Sequence, residues 1–281
     1  MKSTVELALV QLDVAPLSPE ANVSQMLSRL TDAAALGADI VVFPELVTVG
    51  YCRARDREYG RQLASCSEPV PGPTTTVLGE AARNLNTFVV FGMSEAHSKL
   101  SGVLFNSAVL VGPDGAVIGV QRKVHVPGEE KHYFATGDSI EVWETDLGRL
   151  ACCVCADFRV PEMARVAALE GAEIQLVIAN SQVVADRHHE TTRFRTWAQT
   201  RASENANYVA VCNRVGNQGA NRFAGMSCVV DPSGGIIVNG TDDAAILVAS
   251  LSHDILLQER TYRPGFIERR PELYSTLTRR W

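Results

Sequence analysis

Apolar residues recur along the chain in short runs separated by turn signals, and their spacing alternates between that of a buried strand and that of an amphipathic helix. Val5 to Leu12 reads as a strand, and Glu20 to Leu36 carries apolar positions at helical spacing until Gly37 stops it. A wholly apolar strand follows at Ile40 to Phe43, then a loop rich in Pro and Gly, a helix around Val77 to Asn84 and a strand at Phe88 to Met93. Ser107 to Val111 and Ala116 to Gln121 read as the arms of a hairpin. Between them Pro113-Asp114-Gly115 favours a tight turn, because Pro fixes φ and Gly accepts positive φ.

The second half replays that order. A strand at Arg149 to Cys155 is followed by a helix from Pro161 to Glu170 and a strand at Ile174 to Ala179. The wording echoes too, with Gly37-Ala38-Asp39-Ile40-Val41-Val42 answered by Gly171-Ala172-Glu173-Ile174-Gln175-Leu176. A helix near Glu190 to Asn205, a strand at Tyr208 to Cys212, a hairpin across Asp231-Pro232-Ser233-Gly234 and a last strand at Ala245 to Leu251 complete the series. Two such units, each with helices on one side of its sheet, leave two apolar sheet faces that can bury each other. The expected fold is therefore α/β, a four-layer α-β-β-α sandwich of two pseudo-repeated halves; a single doubly wound sheet is the alternative. Residues 1–258 are expected to form this domain and 259–281 a tail.

Composition narrows the picture by exclusion. With 46% hydrophobic and 21% charged residues, the 281-residue chain has ordinary globular usage. A net charge of −6 and scattered arginines give nucleic acid no basic face. No apolar stretch is long enough to span a bilayer, and Gln11 and Asp13 interrupt what would have to be a signal-peptide core. Seven cysteines, mostly in apolar runs, point to reduced thiols and a cytoplasmic setting. There is no Gly-rich dinucleotide loop or Walker loop to favour a nucleotide cofactor.

Three polar residues lie just past the ends of expected strands, where α/β folds expose side chains to a shared crevice. Glu45 follows Val41-Val42-Phe43-Pro44, where desolvation would raise its pKa and suit it to base work; a first-turn helix glutamate is the plain alternative. Lys123 follows the second hairpin arm, in a place where a solvated lysine is the ordinary finding. Cys155 closes Ala151-Cys152-Cys153-Val154-Cys155 ahead of a helix start at Pro161-Glu162, and the positive end of a helix dipole there would lower its pKa. Strand alternation puts Cys153 and Cys155 on one face and Cys152 on the other, so the three thiols do not converge on a metal. His188 and His189 are adjacent, a spacing that projects them apart on a helix and toward solvent. No histidine carries the local signature of a cysteine protease base, which leaves a carboxylate as the better base.

In order, Phe43-Pro44-Glu45, Arg122-Lys123-Val124-His125 and Cys155-Ala156-Asp157-Phe158-Arg159-Val160-Pro161-Glu162 resemble the three signature segments of the nitrilase (carbon-nitrogen hydrolase) superfamily. Similarity extends through Glu130, Tyr133-Phe134-Ala135-Thr136-Gly137-Asp138, Arg201-Ala202-Ser203-Glu204-Asn205, Asn213-Arg214-Val215-Gly216 and Gly225-Met226-Ser227. The resemblance implies the same sandwich, a homodimer or higher homo-oligomer with the tail at the subunit interface, and a small-molecule amide substrate. It casts Cys155 as nucleophile, Glu45 as general base and acid, Lys123 as the cation beside the oxyanion and Glu130 as the family's second glutamate. Ala156, through its backbone N–H, Asn180 and Arg159 fall on the substrate side, and no metal or organic cofactor is implied.

Nitrilases proper usually follow the nucleophile with Trp-Glu, whereas Ala156-Asp157 looks like the amidase and carbamoylase branches. The short interval from Lys123 to Glu130 resembles the small-amide branches, and Asn180-Ser181-Gln182 replaces a common Asn-Trp-Pro. The expected reaction is hydrolysis of a small amide with release of ammonia. A carbamoylase, which would release carbon dioxide as well, is the alternative. Asp157 and Arg159 are expected to brace the nucleophile turn as an ion pair, with a substrate carboxylate as the second role for Arg159.

Overall fold

The computed structural model describes residues 1–52, 55–183, 192–263 and 265–279. In the first half, β1 (Thr4–Gln11), β2 (Ile40–Val42) and β3 (Phe88–Ala96) run parallel, and β4 (Leu104–Val111) and β5 (Val117–Arg122) extend the sheet as an antiparallel hairpin. Phe134–Ala135 adds a short β6 beside β4. The second sheet repeats the scheme with β8 (Gly148–Val154), β9 (Ile174–Ala179) and β10 (Tyr208–Asn213) parallel, then β13 (Cys228–Val230) and β14 (Ile236–Asn239) antiparallel. Between β10 and β13, β11 (Asn217–Gln218) and β12 (Asn221–Arg222) form a separate ribbon.

The repeat goes one strand further than the sequence suggests. Each first strand gains an antiparallel neighbour: β7 (Val142–Thr145) beside β8 and, from the far end of the chain, β15 (Ala245–Ser252) beside β1. Strand β15 thus returns to the sheet of the first half.

Alternation of side chains assigns each sheet two faces. Leu7, Leu9, Ile40, Val42 and Val90 of one sheet meet Leu150, Cys152, Ile174, Leu176 and Ala210 of the other in one buried cluster. The opposite face of the first sheet packs on α1 (Pro19–Ala35) and α3 (Pro73–Leu85) through Met26, Leu30, Leu78 and Ala82. That of the second packs on α4 (Pro161–Leu169) and α5 (Arg193–Asn205) through Met163, Ala164, Ala198 and Ala202. Two sheets between two helical layers make the expected α-β-β-α sandwich.

Helix α2 (Arg57–Ser65) escapes the apolar pattern because it buries only Tyr59 and Leu63, one turn apart, and is otherwise polar. Its start is fixed by Asp56, whose side chain accepts from the N–H groups of Glu58 and Tyr59. Helix α3 begins at Pro73 rather than near Val77: Pro at N1 and the Thr75 hydroxyl, which accepts from Gly72 N–H, start a helix that Thr74 to Thr76 would otherwise disfavour. Helix α6 (His253–Tyr262) continues past residue 258 and buries Leu256 in the inter-sheet core. The expected first turn of α5 at Glu190, and His188 and His189, lie outside the described residues. Among the described residues no helix is long and apolar enough to cross a membrane.

Candidate active site

The C-terminal ends of the parallel strands of both sheets open onto one crevice. Past β2 the chain turns through Pro44, and Gly92 N–H of β3 donates to its carbonyl at 3.2 Å. A Cβ at Gly92 would sit 2.5 Å from Leu46 N and 2.6 Å from Glu45 Cα, so the turn that carries Glu45 rests directly on β3. Glu45 is fully buried. Past β5, Lys123 N–H donates to Asn106 O at 2.8 Å, which continues the hairpin by one residue and turns the lysine side chain inward. Its Nζ donates to Glu45 Oε1 at 2.6 Å and to Glu130 Oε2 at 2.7 Å, with all three side chains buried. Glu130 lies on a 3-10 turn, Gly128–His132.

Charges so far from water control one another. Burial works against the charge on Lys123, but Glu45 and Glu130 outweigh it and hold the ammonium well above the ordinary lysine range. Burial drives Glu130 the other way for a carboxylate, up to about 7; Lys123 restrains that rise and Glu45 adds to it.

Cys155 leaves the strand at φ +49° and opens a 3-10 turn, Cys155–Arg159, ahead of α4. The lowered thiol pKa expected from the helix dipole does not hold. Burial pushes the thiol far above its usual range and Glu45 adds to the rise, while Lys123 and a hydrogen bond from the Asn180 backbone oppose it. Helix α4 begins six residues on, and desolvation dominates at that distance. Cys153 packs on the helix-side face and Cys152 between the sheets, as alternation requires.

The expected Asp157–Arg159 ion pair is absent among the described residues. Asp157 turns inward instead and accepts from His125 N at 2.7 Å, from His125 Nδ1 at 2.9 Å and, more loosely, from the N–H groups of Val124 and Val154. Buried backbone donors outcompete an exposed guanidinium that would keep most of its hydration. The carboxylate thereby ties the segment after Lys123 to the strand end before Cys155. Arg159 is exposed and lines a cavity of about 160 Å³ with Glu130, Cys155 and Asn180.

Asn180 follows β9. Its N–H donates to Glu45 Oε2 at 2.9 Å and its Nδ2 to Glu45 O at 2.8 Å, while its Oδ1 has no partner among the described residues. Ala156 is buried as the second residue of the 3-10 turn, where a backbone N–H has no intrahelical acceptor. The structure thus gathers Glu45, Lys123, Glu130, Cys155, Ala156, Asn180 and Arg159 at one end of the sandwich. It adds residues the sequence reading passed over: Asn106 beside the two glutamates, and Tyr51, Arg193, Phe194 and Trp197 on the cavity wall. Asn106 had left a trace, as a lone amide on the same strand face as Ala108 and Leu110. The described residues contain no group of three or more His, Cys, Asp or Glu placed to hold a metal ion.

A family model described as carbon-nitrogen hydrolase matches residues 6–256. The chain belongs to this family. Carbon-nitrogen hydrolases related to it include a nitrilase of Pyrococcus abyssi, 31% identical over 276 residues, a match covering 96% of this chain and 99% of that one. An omega-amidase of Homo sapiens is 27% identical over 283 residues, covering 97% of this chain and 98% of its own. Among solved structures, a mutant of the amidase from Nesterenkonia sp. AN1 aligns with a TM-score of 0.80 at 25% identity, over 98% of both chains. In that structure the active-site cysteine of the amidase carries the acetamide moiety of fluoroacetamide by covalent addition. The present chain is a carbon-nitrogen hydrolase of the nitrilase superfamily, an amidohydrolase.

Proposed function

We propose that the chain hydrolyses a small primary amide bearing a carboxylate, releasing ammonia through a thioester on Cys155. The observation that carries the reading is the buried set Glu45–Lys123–Glu130 beside Cys155, whose thiol pKa burial pushes up. Such a thiol needs a base at the moment of attack. Glu45 takes the proton as sulfur bonds to the carbonyl carbon, and the carbonyl electrons move to oxygen. The charge on that oxygen is met by Lys123 Nζ and the Ala156 N–H. The C–N bond then breaks, Glu45 returns the proton to nitrogen and ammonia leaves. Glu45 next takes a proton from water, whose oxygen attacks the thioester; the C–S bond breaks and the thiol regains its proton. Glu130 holds the lysine and the water in place.

The cavity supports this substrate class. At about 160 Å³ it falls below the roughly 300 Å³ at which sites for drug-sized ligands begin. The unpartnered Asn180 Oδ1 suits an amide N–H, and the Arg159 guanidinium at the rim suits a carboxylate. The relatedness to an omega-amidase supports the same class.

Ammonia release from a panel of neutral primary amides, carboxylate-bearing amides, N-carbamoyl amino acids and nitriles, comparing wild type with Cys155→Ala, tests the proposal. Turnover of the carboxylate-bearing amides, abolished by the substitution, is expected. Carbon dioxide released together with ammonia would establish the carbamoylase instead, and turnover that survives in Cys155→Ala would overturn the mechanism.

The homo-oligomer reading draws support from apolar side chains exposed on α6 and beyond it, Ile255, Leu257, Tyr262, Ile267 and Leu273. Light scattering on a chain ended before Glu259 checks it: a dimer that persists would place the interface elsewhere.

A further inference from the structure

We infer that Asn106 is a positioning residue of this site: its side-chain amide, given at once to Glu45 and Glu130, holds the two carboxylates around the cation Lys123 and sets the pH range of the site. The inference rests on the roles proposed above for those two glutamates. Strand β4 sends Ala108 and Leu110 into the apolar space between the sheets, and Asn106 is the next residue on that face, at the end nearest the crevice. It is fully buried. Its Nδ2 lies 2.7 Å from Glu45 Oε1 and 3.3 Å from Glu130 Oε2. Those are the two oxygens that Lys123 Nζ contacts at 2.6 and 2.7 Å. The backbone carbonyl of Asn106 also takes the Lys123 backbone N–H at 2.8 Å, so one residue touches both carboxylates and the main chain of the lysine between them.

The cost of this placement shows in the other half of the amide. Asn106 Oδ1 is buried without a partner among the described residues. Rotating the amide by half a turn would aim that oxygen at two carboxylate oxygens, so the acceptors dictate the orientation. A buried unpaired carbonyl is kept here because the nitrogen is needed where it is. A neutral donor suits the position, because a second cation would pair off both carboxylates and weaken either as a base, while an apolar residue would leave them one shared donor. Facing Glu130 and Glu45 from the surrounding elements are Lys123, Cys155, Tyr51 and Cys52, with Asp157 beyond Lys123. Among the described residues, Asn106 is the uncharged donor that reaches both glutamates.

The test is Asn106→Leu, which keeps most of the volume and removes both donated bonds. The infrared carbonyl band of a protonated buried carboxyl is followed from about pH 5 to about pH 9 in wild type, Glu130→Gln and the variant. In parallel kcat and KM are measured on the most active primary amide, together with thermal unfolding. The band expected to titrate near neutral pH in wild type should be missing from Glu130→Gln and move up by about half a unit or more in Asn106→Leu, since a donor to the ionised form is gone. The acid limb of kcat should move in the same direction, kcat should fall by about ten-fold or more and KM by less than about three-fold either way. The melting temperature should fall, because two buried carboxylates each lose a donor, and it serves only to show that the variant folds. A band and a rate profile that stay where wild type has them overturn the inference, whatever happens to the absolute rate. Should Asn106→Leu not fold, Asn106→Ser, too short to bridge both carboxylates, is read by the same two criteria. If Cys155→Ala or Glu45→Gln keeps wild-type turnover, the mechanism fails, and the infrared band still judges Asn106 separately.

Discussion

Replacing Lys123 by Met removes the cation that bridges Glu45 and Glu130 while keeping most of the packing volume of its stem. Taking one partner from a buried ion pair costs about 3–5 kcal/mol, because the charge left behind has neither water nor a counter-ion. For a 281-residue chain the unfolding entropy is about 0.6 kcal/mol/K, so a loss of about 4 kcal/mol lowers the melting temperature by about 7 °C. The size of the loss should depend on pH, and the sign can be worked out. The lysine is held well above its ordinary pKa, so its own contribution is complete below its unfolded value and constant across neutral pH. The carboxylates supply the dependence. Glu130 already titrates near 7, and without the cation its folded pKa rises further. A carboxyl with a raised folded pKa is least costly when protonated, so its penalty grows as pH rises through that value. Lys123→Met should therefore lose about 3–5 kcal/mol near pH 8 and about 1–2 kcal/mol near pH 5, where a lost hydrogen bond and some packing remain. Urea unfolding followed by circular dichroism at both pH values measures this. Equal losses at the two pH values, or a larger loss in acid, would refute the electrostatic account of the cluster.

The wild-type protein carries a smaller version of the same effect: with the folded pKa of Glu130 at about 7 against an ordinary 4.5, its contribution to stability is complete below about 4.5 and is lost as pH rises to about 7. Glu130→Gln should lack that slope, so its stability relative to wild type improves across the window; parallel urea-midpoint curves would contradict the assignment. Gly92→Ala places a methyl 2.6 Å from Glu45 Cα and should cost about 1–3 kcal/mol of stability and about a hundred-fold in turnover, since displacing a reacting group by about 1 Å is enough for such a loss. Full activity in that variant would mean that the turn can shift without moving the carboxylate.

What the sequence made legible was periodic or local. The duplicated βαβα order, the stops at Gly37 and Gly171 and the Pro-Asp-Gly turn predict the two sheets, because alternation, helical spacing and positive φ all act over a few residues. Glu45, Lys123 and Cys155 stood out for one reason, a chemically capable residue just past the end of an expected strand, and the folded strand ends do bring them together. Long-range register was the part that could not be read. Strand β15 pairs Thr4 with Ser252, and nothing near either residue says so. Asp157 answers to backbone N–H groups 32 and 33 positions away rather than to Arg159 two positions on, so the local ion pair that the sequence invites loses to donors that only folding supplies. The thiol of Cys155 shows the same competition between near and far. A helix start six residues on argues for a thiolate, but burial against the second sheet, α4 and α5, together with Glu45 from the other half of the chain, pushes the thiol pKa up. That outcome shapes the chemistry. Under the proposed mechanism, a nucleophile that rests protonated depends on a base arriving from a different strand end, and the apolar packing between the sheets is what fixes where that base would stand.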